Sequence, residues 1–400
     1  MANAATRSSR AARAVRSRLP RPNKVRRAIT LAGGGPAAGL HIGALTALEE
    51  EKIEFDVWSL SCIGAWVGVV YNTREGENKA EKTYDFFHDK IFRDDASYNW
   101  FPVNRAFGPD LGAFARAWAS FLNDRWQYFP TLVQPSEIMA SGIKSAVFLS
   151  SPLMWNEADF NLWALNDVLA VNPASRFITS LLYLSQINGL SRIFYPDSEF
   201  LKSIGIDDLK NATPEIYHNA WNLTNQEMDL FHNRPEKYGT RANGGRGYSR
   251  ITPASLCACS ALPYIEQTVT MPDTGDEYSE GALVDTVSFK DLLFDHTDLE
   301  QIWVNRIVDL KQIKHQRTLT DSMANLCMQF AAEVGESDIK LFRQHLRKYR
   351  SRKPKVVEIP ILPNTKVNFE WSRSNLDQGC EEGYYAVKTL LAHDESLRSI

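Results

Sequence analysis

One thiol in this chain stands at a position suited to chemistry. In Ser59-Leu60-Ser61-Cys62-Ile63-Gly64-Ala65, Cys62 lies between two apolar runs, Ile53 to Trp58 and Trp66 to Tyr71. Such runs read as a strand, a sharp turn and a helix. A corner of this kind holds a side chain clear at its tip, and the helix N-terminus beneath favours negative charge. The usual pattern is G-x-S-x-G. Here Gly64 closes it, Cys62 takes the nucleophile position, and Leu60 replaces the opening glycine. A thiol needs less activation than a hydroxyl, because its free pKa is ~8.5 and a helix N-terminus lowers it. The chemistry would be acyl transfer through a thioester.

A second stretch could hold the charge that such a reaction develops. Gly33-Gly34-Gly35-Pro36-Ala37-Ala38-Gly39 follows the short apolar strand Ala28 to Ala32. It precedes a helix with apolar residues at Ile42, Leu45 and Leu48. Glycines at a helix start let backbone N–H groups point outward together as an anion cradle. A dinucleotide site would want G-x-G-x-x-G and a distal acid. A phosphate loop would want G-K-[ST], which is absent, so a nucleotide-binding protein rests on the glycine turn alone. An oxyanion hole wants the turn beside a nucleophile corner on the next strand, and here the next strand, Ile53 to Trp58, leads to Cys62. Its donors are then the N–H groups of Gly33, Gly34, Gly35 and Ile63.

The elements that must position these residues alternate along the chain. Residues from about 80 to 205 read as short helices broken by prolines. Aromatic residues crowd Trp100 to Phe129, including Phe107, Phe114, Trp118, Trp126 and Tyr128. They read as a helical cap, or as an apolar lining for an acyl chain. Pro214 to His232 reads as strand, turn, strand, and Asn233 to Arg250 as a glycine-rich loop. Ile251 to Pro263 reads as a helix of small residues, with Cys257 and Cys259 in packing roles. Gln301 to Leu310 and Val356 to Leu362 read as strands. Asp321 to Val334 is an amphipathic helix carrying Cys327, and Arg343 to Lys355 reads as a basic helix end and loop.

Several of these stretches resemble the patatin-like phospholipases. They are Gly33-Gly34-Gly35, then His41-Ile42-Gly43-Ala44-Leu45 and Ala47-Leu48-Glu49-Glu50, then the corner. Ala254-Ser255 to Pro263, Tyr278-Ser279-Glu280-Gly281-Ala282, and a terminal helix from Phe369 to Leu391 complete the set. The resemblance spans about residues 25–392. It implies an α/β fold of three layers: a central, mainly parallel sheet, helices on both faces, and the helical, aromatic-rich cap. The patatin-like domain would run 28–392, with the cap inserted at about 80–205, a basic disordered tail at 1–27 and a short tail at 393–400.

That family works with a Ser–Asp dyad and no histidine, and reads Y-x-D-G-[GA] where this chain has Glu280. The resemblance therefore implies Cys62 as nucleophile and Glu280 as general base, with Asp285 as the alternative carboxylate. A nucleophile replaces a nucleophile and a carboxylate a carboxylate, whereas drift at a dead site would more often leave Ala, Gly or Asn. The implied activity is an acyl-ester or thioester hydrolase or acyltransferase on a lipid-like substrate. The alternative is a catalytically inactive patatin-fold protein that binds lipids or a membrane or inclusion surface. Leu60 has no explanation at this level.

Composition bounds the rest. A net charge of −3 makes the whole chain no magnet for nucleic acid. Five cysteines are an odd count that suits a reducing, cytoplasmic setting. The Cys257-x-Cys259 spacing lacks a second pair, so neither a metal nor a cofactor is expected. No apolar run approaches the ~18–20 residues of a membrane span. Residues 1–27 carry nine basic residues and no acid. They read as a solvated tail, or as a peripheral anchor for anionic membrane or a lipid or polyester inclusion.

Overall fold

The computed structural model describes residues 25–398 apart from 107, 124–134, 152–155, 173–174, 176–177, 179–187, 193–197, 239–246, 290–291, 293–294, 314, 350–352 and 364. The basic stretch 1–24, part of the glycine-rich loop, and Phe107, Trp126, Tyr128 and Phe129 lie outside the described residues. The chain divides into two compact units. The larger holds residues up to Ala106, Phe194–Ser260 and Val269 onward; the smaller holds Phe107–Ile193 and Ala261–Thr268.

The larger unit is built on a mixed, mainly parallel sheet. Its strands are β1 (Arg27–Leu31), β2 (Val57–Leu60), β3 (Glu215–Asn222), β4 (Glu227–His232), β5 (Ser249–Arg250), β6 (Val269–Thr270), β7 (Glu277–Ser279), β8 (Gln301–Asn305) and β9 (Lys355–Glu358). The order along the sheet is β9-β8-β1-β2-β3-β7-β6, with β4 on β3 and β5 on β4. Strands β9, β8, β1, β2 and β3 are mutually parallel. Buried on both faces, β1 and β8 read as near-continuous apolar runs.

Side-chain alternation divides the two faces. Ala28, Val57, Tyr217, Ile302 and Val304 join Ile339, Phe342 and Leu346 of the long helix α4 (Leu319–Tyr349) in one core cluster. On the opposite face lie α1 (Ala38–Glu50) and α2 (Ile63–Thr73), with α5 (Arg373–His393) packed on α1. Helices α1 and α5 approach at backbone distance. A Cβ on Gly43 would lie 1.9 Å from the Cys380 carbonyl oxygen, and one on Gly383 2.3 Å from that of Leu40. The expected three-layer α/β architecture is therefore the observed one.

Several boundaries move. The second strand begins at Val57 rather than Ile53, because the Ile53 N–H closes the end of α1 on the Leu48 carbonyl (2.9 Å). The small-residue helix shrinks to α3 (Pro253–Ala258), started by a Thr252–Ser255 capping box with Pro253 in its first turn. The basic run from Arg343 continues α4 instead of leaving it, since Arg, Lys and Gln are good helix formers. Arg26 and Arg27 belong to the fold: Arg27 is buried in β1 and Arg26 pairs with Asp298. Past α5, a 3-10 turn (Glu395–Arg398) buries Leu397, and Arg398 pairs with Glu51 at 3.0 Å.

The smaller unit contains helices Leu111–Asn123, Pro135–Leu149 and Glu157–Trp163, the last running into a π-helical turn, Ala164–Leu169. A small sheet joins Gly108–Pro109, Gly189–Arg192 and Tyr264–Glu266. Phe148 stacks on Trp163 at 4.9 Å. The helices Lys79–Lys90 and Asp95–Trp100 belong to the larger unit.

Candidate active site

Cys62 sits at the turn between β2 and α2 as the N-cap of α2, with φ 47° and ψ −124°. A side chain with a Cβ rarely adopts this conformation, which costs on the order of 1–3 kcal/mol and persists only where the surroundings impose it. They do so on both sides. A Cβ at Gly64 would lie 2.2 Å from the Leu31 carbonyl oxygen, so only glycine lets α2 start this close to β1. The Ser61 N–H continues the ladder onto that same carbonyl at 3.0 Å. Leu60 finds its space at Gly68, one turn along α2. A Cβ there would lie 2.6 Å from Leu60 Cδ2. The glycine missing at position 60 is balanced by one in the helix that covers it.

Strand β3 brings the second group in. Tyr217 and His218 pair with β2 on one edge and with β4 on the other. Trp221 and Asn222 pair with β4 and with β7. Strand β4 therefore occupies one edge of β3, while β2 and the antiparallel β7 share the opposite edge and run toward each other, end to end. Cys62 follows the end of β2 and Glu280 the end of β7. Gly281 packs against the β3 backbone, where a Cβ would lie 3.0 Å from Ala220 Cα.

The Cys62 thiol lies beside the Glu280 carboxylate, close enough for each to shift the other's titration. Both residues are buried. Burial lifts the Glu280 carboxyl to about 7, although the neighbouring Cys62 thiol works the other way. Burial first, and the Glu280 charge second, push the Cys62 thiol well above its ordinary range. The resting pair is thus a thiol beside a carboxylate that titrates near neutrality.

The glycine turn flanks this pair. A Cβ on Gly33 would lie 3.2 Å from Cys62 Cβ and 3.1 Å from Ala282 Cβ. Gly35 has φ 53° and lies against the Phe369 ring, at 3.0 Å from the position a Cβ would take. Among the described residues, none accepts a hydrogen bond from the N–H groups of Gly33, Gly34 or Gly35. The Ile63 N–H faces the Cys62 sulfur. His41, fully buried in α1, lies with Nε2 2.9 Å from the Ala32 carbonyl oxygen at the mouth of the turn. Burial lowers its pKa to about 4, so it is neutral and Nε2 carries the proton that it donates. In the sequence His41 stood out only as the first residue of a helical stretch that resembles the family.

The alternative carboxylate, Asp285, lies on the same loop as Glu280, and its backbone is held there. Asp285 contributes its backbone carbonyl, which accepts from Asn219 Nδ2 at 2.7 Å and from Ser61 Oγ at 3.4 Å. The next two N–H groups, of Thr286 and Val287, donate to Asp338 of α4 at 3.0 and 3.1 Å. Cys257 and Cys259 are buried, as their packing role requires, and Cys259 Sγ donates to the Leu256 carbonyl at 3.0 Å. Among the described residues no cluster could hold a metal ion, and no helix is long and apolar enough to cross a membrane.

The layout is that of three-layer α/β proteins that carry a reactive side chain at a strand-to-helix corner. A profile of the patatin-like phospholipases matches residues 29–293, from β1 through the Glu280 loop, and the chain belongs to that family. No curated protein matches it. Among solved structures it is similar to VipD from Legionella pneumophila, at 10% identity and a TM-score of 0.36, covering 92% of this chain and 67% of that one. It is also similar to human GIVD cytosolic phospholipase A2 in complex with the inhibitor methyl γ-linolenyl fluorophosphonate. There the identity is 12%, the TM-score 0.34, and the match covers 98% of this chain and 62% of that one.

Proposed function

We propose that the chain is an acyl-ester or thioester hydrolase or acyltransferase on a lipid-like substrate, with Cys62 as nucleophile and Glu280 as general base. The observation that carries this reading is the apposition of the buried Cys62 thiol and the buried Glu280 carboxylate at a strained corner. Glu280 takes the thiol proton as the sulfur attacks the acyl carbon. The tetrahedral oxyanion is received by the N–H groups of the Gly33–Gly35 turn and Ile63. The leaving alcohol or thiol departs with the proton from Glu280, and the acyl group remains on Cys62 as a thioester. Water or another acceptor, deprotonated by Glu280, attacks that thioester and regenerates the thiol. Leu283 and Val284, exposed apolar residues just past Glu280, suit an acyl chain.

The competing reading, a silent patatin-fold lipid binder, draws on one observation. Cys62 is a buried thiol held in its protonated form. The test compares the parent chain, Cys62→Ala and Glu280→Gln on short- and long-chain p-nitrophenyl esters, with a thiol-reactive acyl probe in parallel. The proposal expects probe labelling at Cys62 and at least a hundredfold loss of turnover in both variants. Equal turnover in the parent and Cys62→Ala, or no label at Cys62, would leave the binding role in possession.

A further inference from the structure

We propose that Asn219 is a positioning residue that sets the distance between the Cys62 corner and the loop carrying Glu280. The inference rests on the dyad reading above. It starts from the place where β2 and β7 meet end to end along one edge of β3, because no ladder hydrogen bond spans that junction. β2 pairs with β3 as far as Leu60 and His218, and β7 as far as Ser279 and Trp221. Asn219 and Ala220 lie opposite the gap.

The fully buried Asn219 side chain crosses it. Its Nδ2 donates to the Asp285 carbonyl at 2.7 Å, and since a carbonyl can only accept, the amide orientation is fixed. Oδ1 must then face Ser61, whose hydroxyl donates to it at 3.1 Å. Ser61 precedes Cys62 in the chain. Gly281 follows Glu280, and a Cβ on it would lie 3.0 Å from Asn219 Oδ1. One carboxamide thus bonds the residue before the thiol and the far end of the carboxylate's loop, and leaves little room for a side chain on the residue after the carboxylate. Alanine at 219 would remove the two shorter bonds and leave the Ser61 hydroxyl and the Asp285 carbonyl held only by their weaker 3.4 Å contact with each other. The two strand ends would then be free to drift apart, and an ångström of drift suffices to break a thiol–carboxylate contact.

The test reads the thiol as well as turnover. Iodoacetamide alkylation of Cys62 is followed by mass spectrometry of its peptide across pH 6 to 10 in the parent chain, Glu280→Gln, Asn219→Ala and Ser61→Ala. Glu280 holds the proton on Cys62, so Glu280→Gln should move the alkylation midpoint to lower pH. Asn219→Ala should move it in the same direction, cut kcat at least tenfold and leave KM within about twofold. Ser61→Ala, which removes one arm of the bridge and is the milder change for folding, should give a smaller shift and about a threefold loss of kcat. A wild-type midpoint and kcat in a folded Asn219→Ala, beside a shifted Glu280→Gln, overturns the positioning role alone. Should Asn219→Ala fail to fold, the same result in Ser61→Ala overturns it. An unshifted Glu280→Gln overturns the dyad reading, and the positioning role with it.

Discussion

At the residue scale the candidate site is a thiol beside a carboxyl, both buried. Burial lifts the Glu280 carboxyl from 4.5 to about 7. The folded chain therefore binds the carboxyl proton more tightly than the unfolded chain does, and stability from this group falls as pH rises between those two values. At roughly 1.4 kcal/mol per unit, the loss amounts to about 3 kcal/mol once Glu280 is ionised. Glu280→Gln removes the penalty. Its urea midpoint should fall less from pH 5 to 8 than that of the parent chain, the difference isolating Glu280 from Asp338 (lifted to about 6) and the buried His41, His218 and His232, which titrate alike in both. Turnover should move the opposite way. The base form is needed, so kcat/KM should climb with pH toward about 7 and level off above it. A flat kcat/KM profile from pH 5 to 8 would take Glu280 out of the base role. Cys62, the Gly33–Gly35 turn and Glu280 were legible in the sequence because each sits in a short local pattern. Asn219 was not, since its partner Ser61 lies 158 positions away and only strand pairing brings them together.

At the scale of elements, the replacement at position 60 was the one departure that sequence reasoning left unexplained. The answer lies in α2, where Gly68 vacates the volume that Leu60 fills. Gly68→Ala should overpack this contact and cost roughly 1–3 kcal/mol, read as a lower Tm. Leu60→Ala should cost a similar amount by leaving a cavity. The double variant should be more stable than the sum of the two losses implies, and strict additivity in a double-mutant cycle would refute the coupling. Helix existence was readable from apolar spacing, but helix ends were not. The start of α3 depends on a capping box, and the length of α4 on helix formers that also read as a charged loop. The end-to-end meeting of β2 and β7 on one edge of β3 has no local signature at all.

For the whole molecule, the contact between α1 and α5 binds the first third of the chain to its last helix. It is made of backbone on backbone, so it has little room to adjust. Gly43→Ala would put a Cβ 1.9 Å from a carbonyl oxygen of α5. We expect it to cost at least about 3 kcal/mol, seen as a Tm drop of several degrees or as loss of soluble protein. A wild-type Tm would mean that the two helices can part without consequence. The position of β1 has a further result for how the protein is made. Arg27 pairs with Gln301 and Leu31 with Asn305, so the strand that leads to the glycine turn is flanked by one made some 270 residues later. At roughly 5–20 residues per second, a ribosome leaves that edge open for on the order of 15–55 s. During that interval Ala28, Ile29 and Leu31 offer a bare apolar strand to any neighbouring chain. Nascent protein should therefore depend on chaperones until β8 has emerged, and high-level expression at low chaperone supply should yield aggregates rather than folded protein.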